Sequence, residues 1–146
     1  MSKIEQALHC FDEGSGFNCA QSILSTYAED FDMNKETALR ITTPFGSGIA
    51  MMGDICGAVS GAIMVIGLKY GRTHIDDQEP REKAYALVQE FMKRFKERKG
   101  SILCRDILGC NPGTEDGQRH IITRESHKTV CPAAIRDAAE ILEEIL

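Results

Sequence analysis

The chain has 146 residues with a formal net charge of −5, and 42% of its residues are hydrophobic against 27% charged. This length and balance are typical of one soluble globular domain, which we expect to span residues 1–146, and they argue against a disordered or fibrous protein. Lysine and arginine are mostly interleaved with glutamate and aspartate, so the continuous basic face that binds nucleic acid is missing. We therefore expect no nucleic-acid partner.

Apolar residues recur at helical spacing along most of the chain, and no convincing strand pattern occurs. Side chains that can cap a helix precede three of these patterns, at Asn18, Asn34 and Ser101. The predicted helices cover about residues 3–12, 19–29, 35–43, 54–71, 81–98, 102–108 and 130–146. The segment 118–128 is ambiguous. The sequence therefore predicts an all-α fold, a bundle of about five to seven helices.

The apolar segment DICGAVSGAIMVIGLKYG, which runs from Asp54 to Gly71, is expected to be the central helix of this bundle, with Asp54 as its N-cap. Its uncharged part, 55–68, has fourteen residues, whereas a helix that spans a bilayer needs about twenty, so we expect no membrane insertion. Gly57 and Gly61 would let another backbone approach closely, either within the bundle or in a homodimer contact.

The six cysteines of the chain indicate thiol chemistry. No apolar run precedes a small-residue cleavage site near the N-terminus, so we expect a cytoplasmic protein. Structural disulfides are rare in the reducing cytosol, where a cysteine-rich chain more often uses its thiols to bind metal or to exchange electrons.

Four of the cysteines are predicted to begin helices, namely Cys19, Cys56, Cys104 and Cys131. A helix N-terminus carries unpaired N–H groups and a partial positive charge, which favour a thiolate over a thiol. If the four helix starts met, they would form a site for a metal with sulfur ligands or for two dithiol pairs. Alternatively, these cysteines only pack in the core. The chain has no CxxC and no CxxCH motif, so distant segments would have to assemble such a site.

Three further candidates lie outside this set. Cys110, in a loop rich in glycine and proline, could be a resolving thiol that attacks a sulfenate or mixed disulfide on a neighbour. His127 precedes Cys131 by four residues, a spacing that suits a ligand or proton donor if the segment is helical. His74 and the two aspartates that follow it could bind a hard metal, although a solvated loop is the simpler interpretation.

The sequence contexts of the four cysteines resemble those of a known family. They are FNCAQSIL, CGAVSG followed by GLKYG, CRDILG, and CPAAIRDAAEIL. With these motifs in this order, nearly the whole chain resembles the redox-active protein family known by its C, GCAxxG, C, C pattern. The family's defining cysteines correspond to Cys19, Cys56, Cys104 and Cys131. The chain is also distantly similar to the iron–sulfur portion of split-Soret cytochromes, which implies that these cysteines could hold a cluster. It lacks haem motifs, so no haem is expected.

Three functional hypotheses follow. The first is an electron-transfer protein with an iron–sulfur cluster, or secondarily zinc, bound by the four cysteines, with backbone N–H groups at Gly57 and Gly61 approaching the sulfurs. The second is a metal-free thiol–disulfide oxidoreductase in which the same cysteines are the redox thiols. The third is a helical interaction module whose cysteines only pack. The redox partner, the substrate and the question of whether the protein is an enzyme remain open at this point.

Overall fold

The computed structural model describes residues 1–12 and 16–146 of the chain. In these residues the chain forms eight α-helices and no β-strand, so the predicted all-α fold is confirmed. The helices are α1 (Lys3–Asp12), α2 (Cys19–Ala28), α3 (Lys35–Thr42), α4 (Gly57–Tyr70), α5 (Gln78–Lys99), α6 (Cys104–Leu108), α7 (Glu115–Thr123) and α8 (Val130–Ile145). No helix in this part of the chain is both long and apolar enough to cross a membrane.

The structure has one helix more than the five to seven that were predicted, and the helix that was not predicted is α7. It arises partly from the ambiguous segment and partly from residues predicted to be a loop, and it begins after Thr114. The hydroxyl of Thr114 accepts a hydrogen bond of 2.9 Å from the N–H of Gly117. Few apolar residues mark this helix because only Gly117 and Ile121 of it are buried.

The predicted central helix is α4, which packs against α2, α5 and α8. Its contact with α2 is made backbone to backbone. A Cβ atom at Gly61 would lie 3.0 Å from the carbonyl oxygen of Ala20 and 3.0 Å from the Cβ of Ile23. Since α2 of the same chain covers this small-residue face, the face is not available for the homodimer contact that the sequence also allowed.

The two asparagine caps are confirmed, whereas the two other predicted caps are wrong. The side chains of Asn18 and Asn34 each accept a backbone hydrogen bond at the start of α2 and α3. The N-cap of α4 is Cys56 rather than Asp54, because the backbone at Asp54 pairs with other segments. Ser101 lies too early to cap α6, and its hydroxyl instead accepts from the N–H of Leu103.

Apart from α6 and α7, each α-helix contributes buried residues to one main core. Phe91 and Phe95 of α5 stack in this core with their ring centroids 6.0 Å apart. The buried face of α8 packs against α5 in the same core. A smaller cluster lies under α6 and α7, where Leu108 and Ile121 pack with Cys104. The two clusters border each other at the cysteines.

Candidate functional site

The four cysteines singled out in the sequence all lie at helix starts. Cys19 is the first residue of α2, Cys104 is the first residue of α6, and Cys131 is the second residue of α8. Cys56 stands immediately before α4, as its N-cap. The side chains come together from four helices and belong to residues up to 112 positions apart in the sequence.

These helix starts surround one cavity of about 530 Å³. Cys19, Cys104 and Cys131 line it directly. Cys56 is buried behind them, close enough for electrostatic interaction with the other three thiols. The rest of the wall is mixed, with aromatic, polar and charged side chains that include Phe11, Phe17, Asn18, His127 and Lys128.

Backbone hydrogen bonds hold Cys56 and Cys104 against each other's segments. The N–H of Cys56 donates to the carbonyl oxygen of Ile102 over 2.8 Å, and the N–H of Cys104 donates to that of Asp54 over 2.7 Å. The two bonds lie on either side of the isolated bridge between Ile55 and Leu103. This reciprocal pairing fixes the backbone of the two cysteines side by side, so that both thiols start from the same small region.

The segment 47–51, which has a left-handed backbone, lies beside Cys104 and contributes to the cavity wall. All five of its residues have φ between 47° and 72°, although only Gly48 is a glycine. This backbone region costs an ordinary L-residue about 1–2 kcal/mol. A Cβ atom at Gly48 would lie 2.7 Å from the Cβ of Cys104, so only glycine fits there. This feature was not predicted from the sequence, in which the glycines at 46, 48 and 53 indicate no more than a loop.

Cys19 and Cys131 form a thiol pair, since both line the cavity and their thiols lie close enough to interact with each other. Interaction with Cys131, together with burial and the other neighbouring thiols, raises the pKa of Cys19 well above its ordinary value. Interaction with Cys19 and with the nearby His127 lowers the pKa of Cys131 to about 7 against the opposing effect of burial. The pair therefore loses its first proton near neutral pH and holds the second one tightly.

His127 provides the second polar contact of Cys131. Its Nδ1 lies 3.8 Å from the Sγ of Cys131, and it contributes to the lowered pKa of that thiol. The imidazole also packs against the ring of Phe11, with centroids 6.4 Å apart. His127 lies in the turn before α8, and this turn brings its imidazole against the Cys131 thiol. The four-residue spacing therefore allows the contact although the residues between them are not all helical.

The other two thiols have a raised pKa. Burial is the largest cause at both sites, and it raises the pKa of Cys56 to about 11 and that of Cys104 to about 12. The N–H groups of Ala58 and Val59 act in the opposite direction at Cys56 but do not compensate. The expectation that a helix start lowers the pKa is therefore wrong for these two, where burial exceeds the helix effect, and for Cys19, where the interaction with Cys131 and burial exceed it.

The remaining predicted residues are distributed around the site. Gly57 lines the cavity, whereas Gly61 lies in the contact between α2 and α4 and is not part of the cavity wall. Cys110 packs beside Cys104 in the smaller cluster, where its thiol donates to the carbonyl oxygen of Gly117 over 3.5 Å. His74 and the two aspartates after it lie in the connection to α5, where His74 and Asp76 are exposed.

Both metal predictions, an iron–sulfur cluster and zinc, require the four cysteines of the site to act together as sulfur ligands. Within residues 1–12 and 16–146, no three histidine, cysteine, aspartate or glutamate side chains are gathered as a group that could hold a metal ion. The four cysteines of the site are reduced thiols. An iron–sulfur cluster and zinc both remain predictions.

Comparison with known proteins gives one match. The model of the family described as "Putative redox-active protein (C_GCAxxG_C_C)" matches residues 17–145, a range that contains all four cysteines of the site. The glycine and cysteine of its second motif stand here in the reverse order, as Cys56 and Gly57. No curated protein and no solved structure matches the chain.

Proposed function

The chain belongs to the C_GCAxxG_C_C family of redox-active proteins, and we propose that its redox centre is the thiol pair of Cys19 and Cys131, which alternates between dithiol and disulfide. The observation that carries this proposal is the position of the two thiols, which line the same cavity and lie close enough to interact. Nearness of the two sulfurs is the first requirement of a reversible disulfide.

The ionisation of the pair supports the same proposal. The thiolate is the form that attacks a disulfide, and a thiol with a pKa close to the ambient pH is the most effective attacking group. With its pKa lowered to about 7, Cys131 meets this condition. Cys56 and Cys104 remain protonated at neutral pH because burial raises their pKa. Only one of the four sulfurs is therefore activated.

The exchange that this pair performs is balanced in electrons and protons. Oxidation joins the two sulfurs and releases two protons and two electrons, and a disulfide on the partner accepts them to become two thiols. The cavity beside the pair gives such a partner access to Cys131, which lies on the cavity wall. The reverse exchange reduces the pair.

An iron–sulfur cluster is a second candidate, favoured by three cysteines that line one cavity and a fourth, Cys56, that lies close enough to interact with them. The ligands would be Cys19, Cys56, Cys104 and Cys131. Four thiols are the usual ligand set for such clusters, which supply one-electron transfer. Ligation replaces the four protons, so it would also relieve the repulsion that raises the pKa of three of these thiols.

The decisive experiment equilibrates metal-free protein with dithiothreitol redox buffers and counts thiols by alkylation and intact mass. The proposal expects one two-electron transition that Cys19→Ser and Cys131→Ser each abolish. Cys110→Ser, outside the cavity wall, should leave the transition unchanged. Protein purified without oxygen is measured in parallel. A broad absorbance band near about 400 nm with bound iron and sulfide would favour the cluster. If none of the four thiols is oxidised or binds iron, the packing hypothesis gains.

A further inference from the structure

The two thiols of the pair have unequal surroundings, and the cavity beside them has a charged rim. Resting on the function proposed above, we propose that Cys131 is the attacking sulfur and Cys19 the resolving sulfur, and that their substrate is a low-molecular-weight disulfide with charged ends that binds in the cavity. Each part of this proposal depends on a different observation, so each can fail separately.

The contact with His127 identifies the attacking sulfur. The Sγ of Cys131 lies 3.8 Å from Nδ1 of His127, so the imidazole can stabilise a negative charge on it. The thiol of Cys19 instead has the other three cysteines as neighbours, and they disfavour a negative charge on it. A thiolate on Cys131 is therefore favoured over one on Cys19, in agreement with the opposite directions of their pKa shifts.

The position of Cys19 suits the resolving step. In the first exchange, the Cys131 thiolate attacks one sulfur of the substrate disulfide, a mixed disulfide forms on Cys131, and the other substrate sulfur leaves as a thiolate that takes up a proton. Cys19 then loses its proton, and its sulfur attacks the sulfur of Cys131. The second half of the substrate leaves as a thiol, and the Cys19–Cys131 disulfide remains.

The size of the cavity favours a small substrate. Its volume of about 530 Å³ lies in the range of about 300–1,000 Å³ that holds small-molecule ligands. Both thiols lie in its wall beside Phe11 and Phe17 rather than on a protruding surface. A small disulfide can enter this cavity and reach both thiols, whereas a disulfide held within a folded protein must fit its own surface around the opening.

The charges at the cavity rim favour a substrate with charged ends. Asp12 and Lys128 both line the cavity and are exposed, so one carboxylate and one ammonium group face an entering molecule. Among the described residues, Lys128 forms an ion pair with the exposed carboxylate of Glu125 at 3.7 Å, and such a pair is weak enough to exchange for a ligand. A disulfide built from amino acids carries both charges and can complement this rim.

The test uses reduced, metal-free protein, with oxidised glutathione as the charged probe and hydroxyethyl disulfide as the neutral one. With Cys19→Ser, we expect one stable glutathione adduct on Cys131 and one released thiol for each chain. Cys131→Ser should react at least about tenfold more slowly, because it lacks the one thiol of the cavity wall that His127 contacts. The unmodified protein should release two thiols and lose two hydrogens, as should Cys110→Ser. An adduct on Cys19 of Cys131→Ser, formed as fast as that on Cys131, would overturn the assigned order.

The charge preference is measured as the ratio of the rates with the two probes, divided by the same ratio for a free cysteine derivative. We expect this ratio to exceed one and to fall toward one in Lys128→Gln. A ratio of one in the unmodified protein would overturn the charged substrate. Peptide mapping of acid-quenched unmodified protein locates the transient adduct even if a serine variant does not fold. If the pair forms a disulfide in redox buffer but the adduct is on Cys19, this inference fails while the proposed function stands.

Discussion

Replacing Gly57 by alanine should loosen the contact between α2 and α4 and move Cys19. A Cβ atom at position 57 would lie 2.9 Å from the backbone nitrogen of Ala20 and 3.2 Å from the Cβ of Cys19. Backbone cannot give way as a flexible side chain does, so the two helix starts must separate. Overpacking of this kind costs about 1–3 kcal/mol. Alanine recovers less than about 1 kcal/mol of helix propensity, so we expect a net loss of about 1–2 kcal/mol.

Urea denaturation of the reduced protein, followed by circular dichroism, measures this loss as a lower midpoint with an unchanged slope. Gly67→Ala is the matched control, because Gly67 is exposed on the same helix and a Cβ atom there meets nothing within 4 Å. That variant should gain about 0.5–1 kcal/mol. Equal midpoints for the two variants would refute the close approach of α2 and α4. A shifted potential of the thiol pair in Gly57→Ala alone would connect the contact to the site.

The remaining predictions concern the cap of α2 and the ionisation of two thiols. Asn18→Ala removes the capping box with Gln21 and should lower the free energy of unfolding by about 1 kcal/mol, and an unchanged urea midpoint would contradict this. Alkylation of Cys131 by iodoacetamide should reach half its maximal rate near pH 7, because its thiolate fraction rises as the pH passes its lowered pKa, and a midpoint near pH 9 would exclude the assigned environment. The pKa of Cys56 is raised to about 11, so its stabilising contribution is complete below the pKa of an unfolded cysteine and is lost as the pH rises through about 9 to 11. The difference in unfolding free energy between the unmodified protein and Cys56→Ser should therefore fall by about 2–3 kcal/mol over this interval.

Local signals in the sequence were sufficient where a helix start depends on its own residues. Asn18 and Asn34 cap helices because their side chains reach backbone N–H groups three residues ahead, an interaction that the sequence displays directly. Asp54 has the same type of side chain but does not cap. The N–H of Asp54 donates to the carbonyl oxygen of Gly48, and its carbonyl oxygen accepts from the N–H of Cys104. No local pattern in the sequence reveals that Cys104, 50 residues further along the chain, is a partner.

The ionisation of the cysteines could not be predicted from helix starts alone. The direction of each shift depends on which thiols become neighbours and how deeply they are buried, and both depend on the tertiary fold. Cys19 and Cys131 have similar positions in their helices, yet their pKa values move in opposite directions, since Cys19 has the other cysteines as neighbours whereas Cys131 also has His127 beside it. The left-handed segment 47–51 was equally hidden, since nothing about the side chain of Ile49 indicates a φ of 66°.

The separation of Cys19 and Cys131 along the chain links the redox state of the pair to the stability of the whole fold. A disulfide between them closes a loop of 112 positions. In the chain-entropy description, a closure of this length removes about 5 kcal/mol of freedom from the unfolded state. Because folding and disulfide formation are linked, folding in turn stabilises the disulfide relative to the two thiols by the same free energy. Any perturbation that unfolds the helices would thus make the pair easier to reduce, and reduction would in turn leave the fold more easily undone.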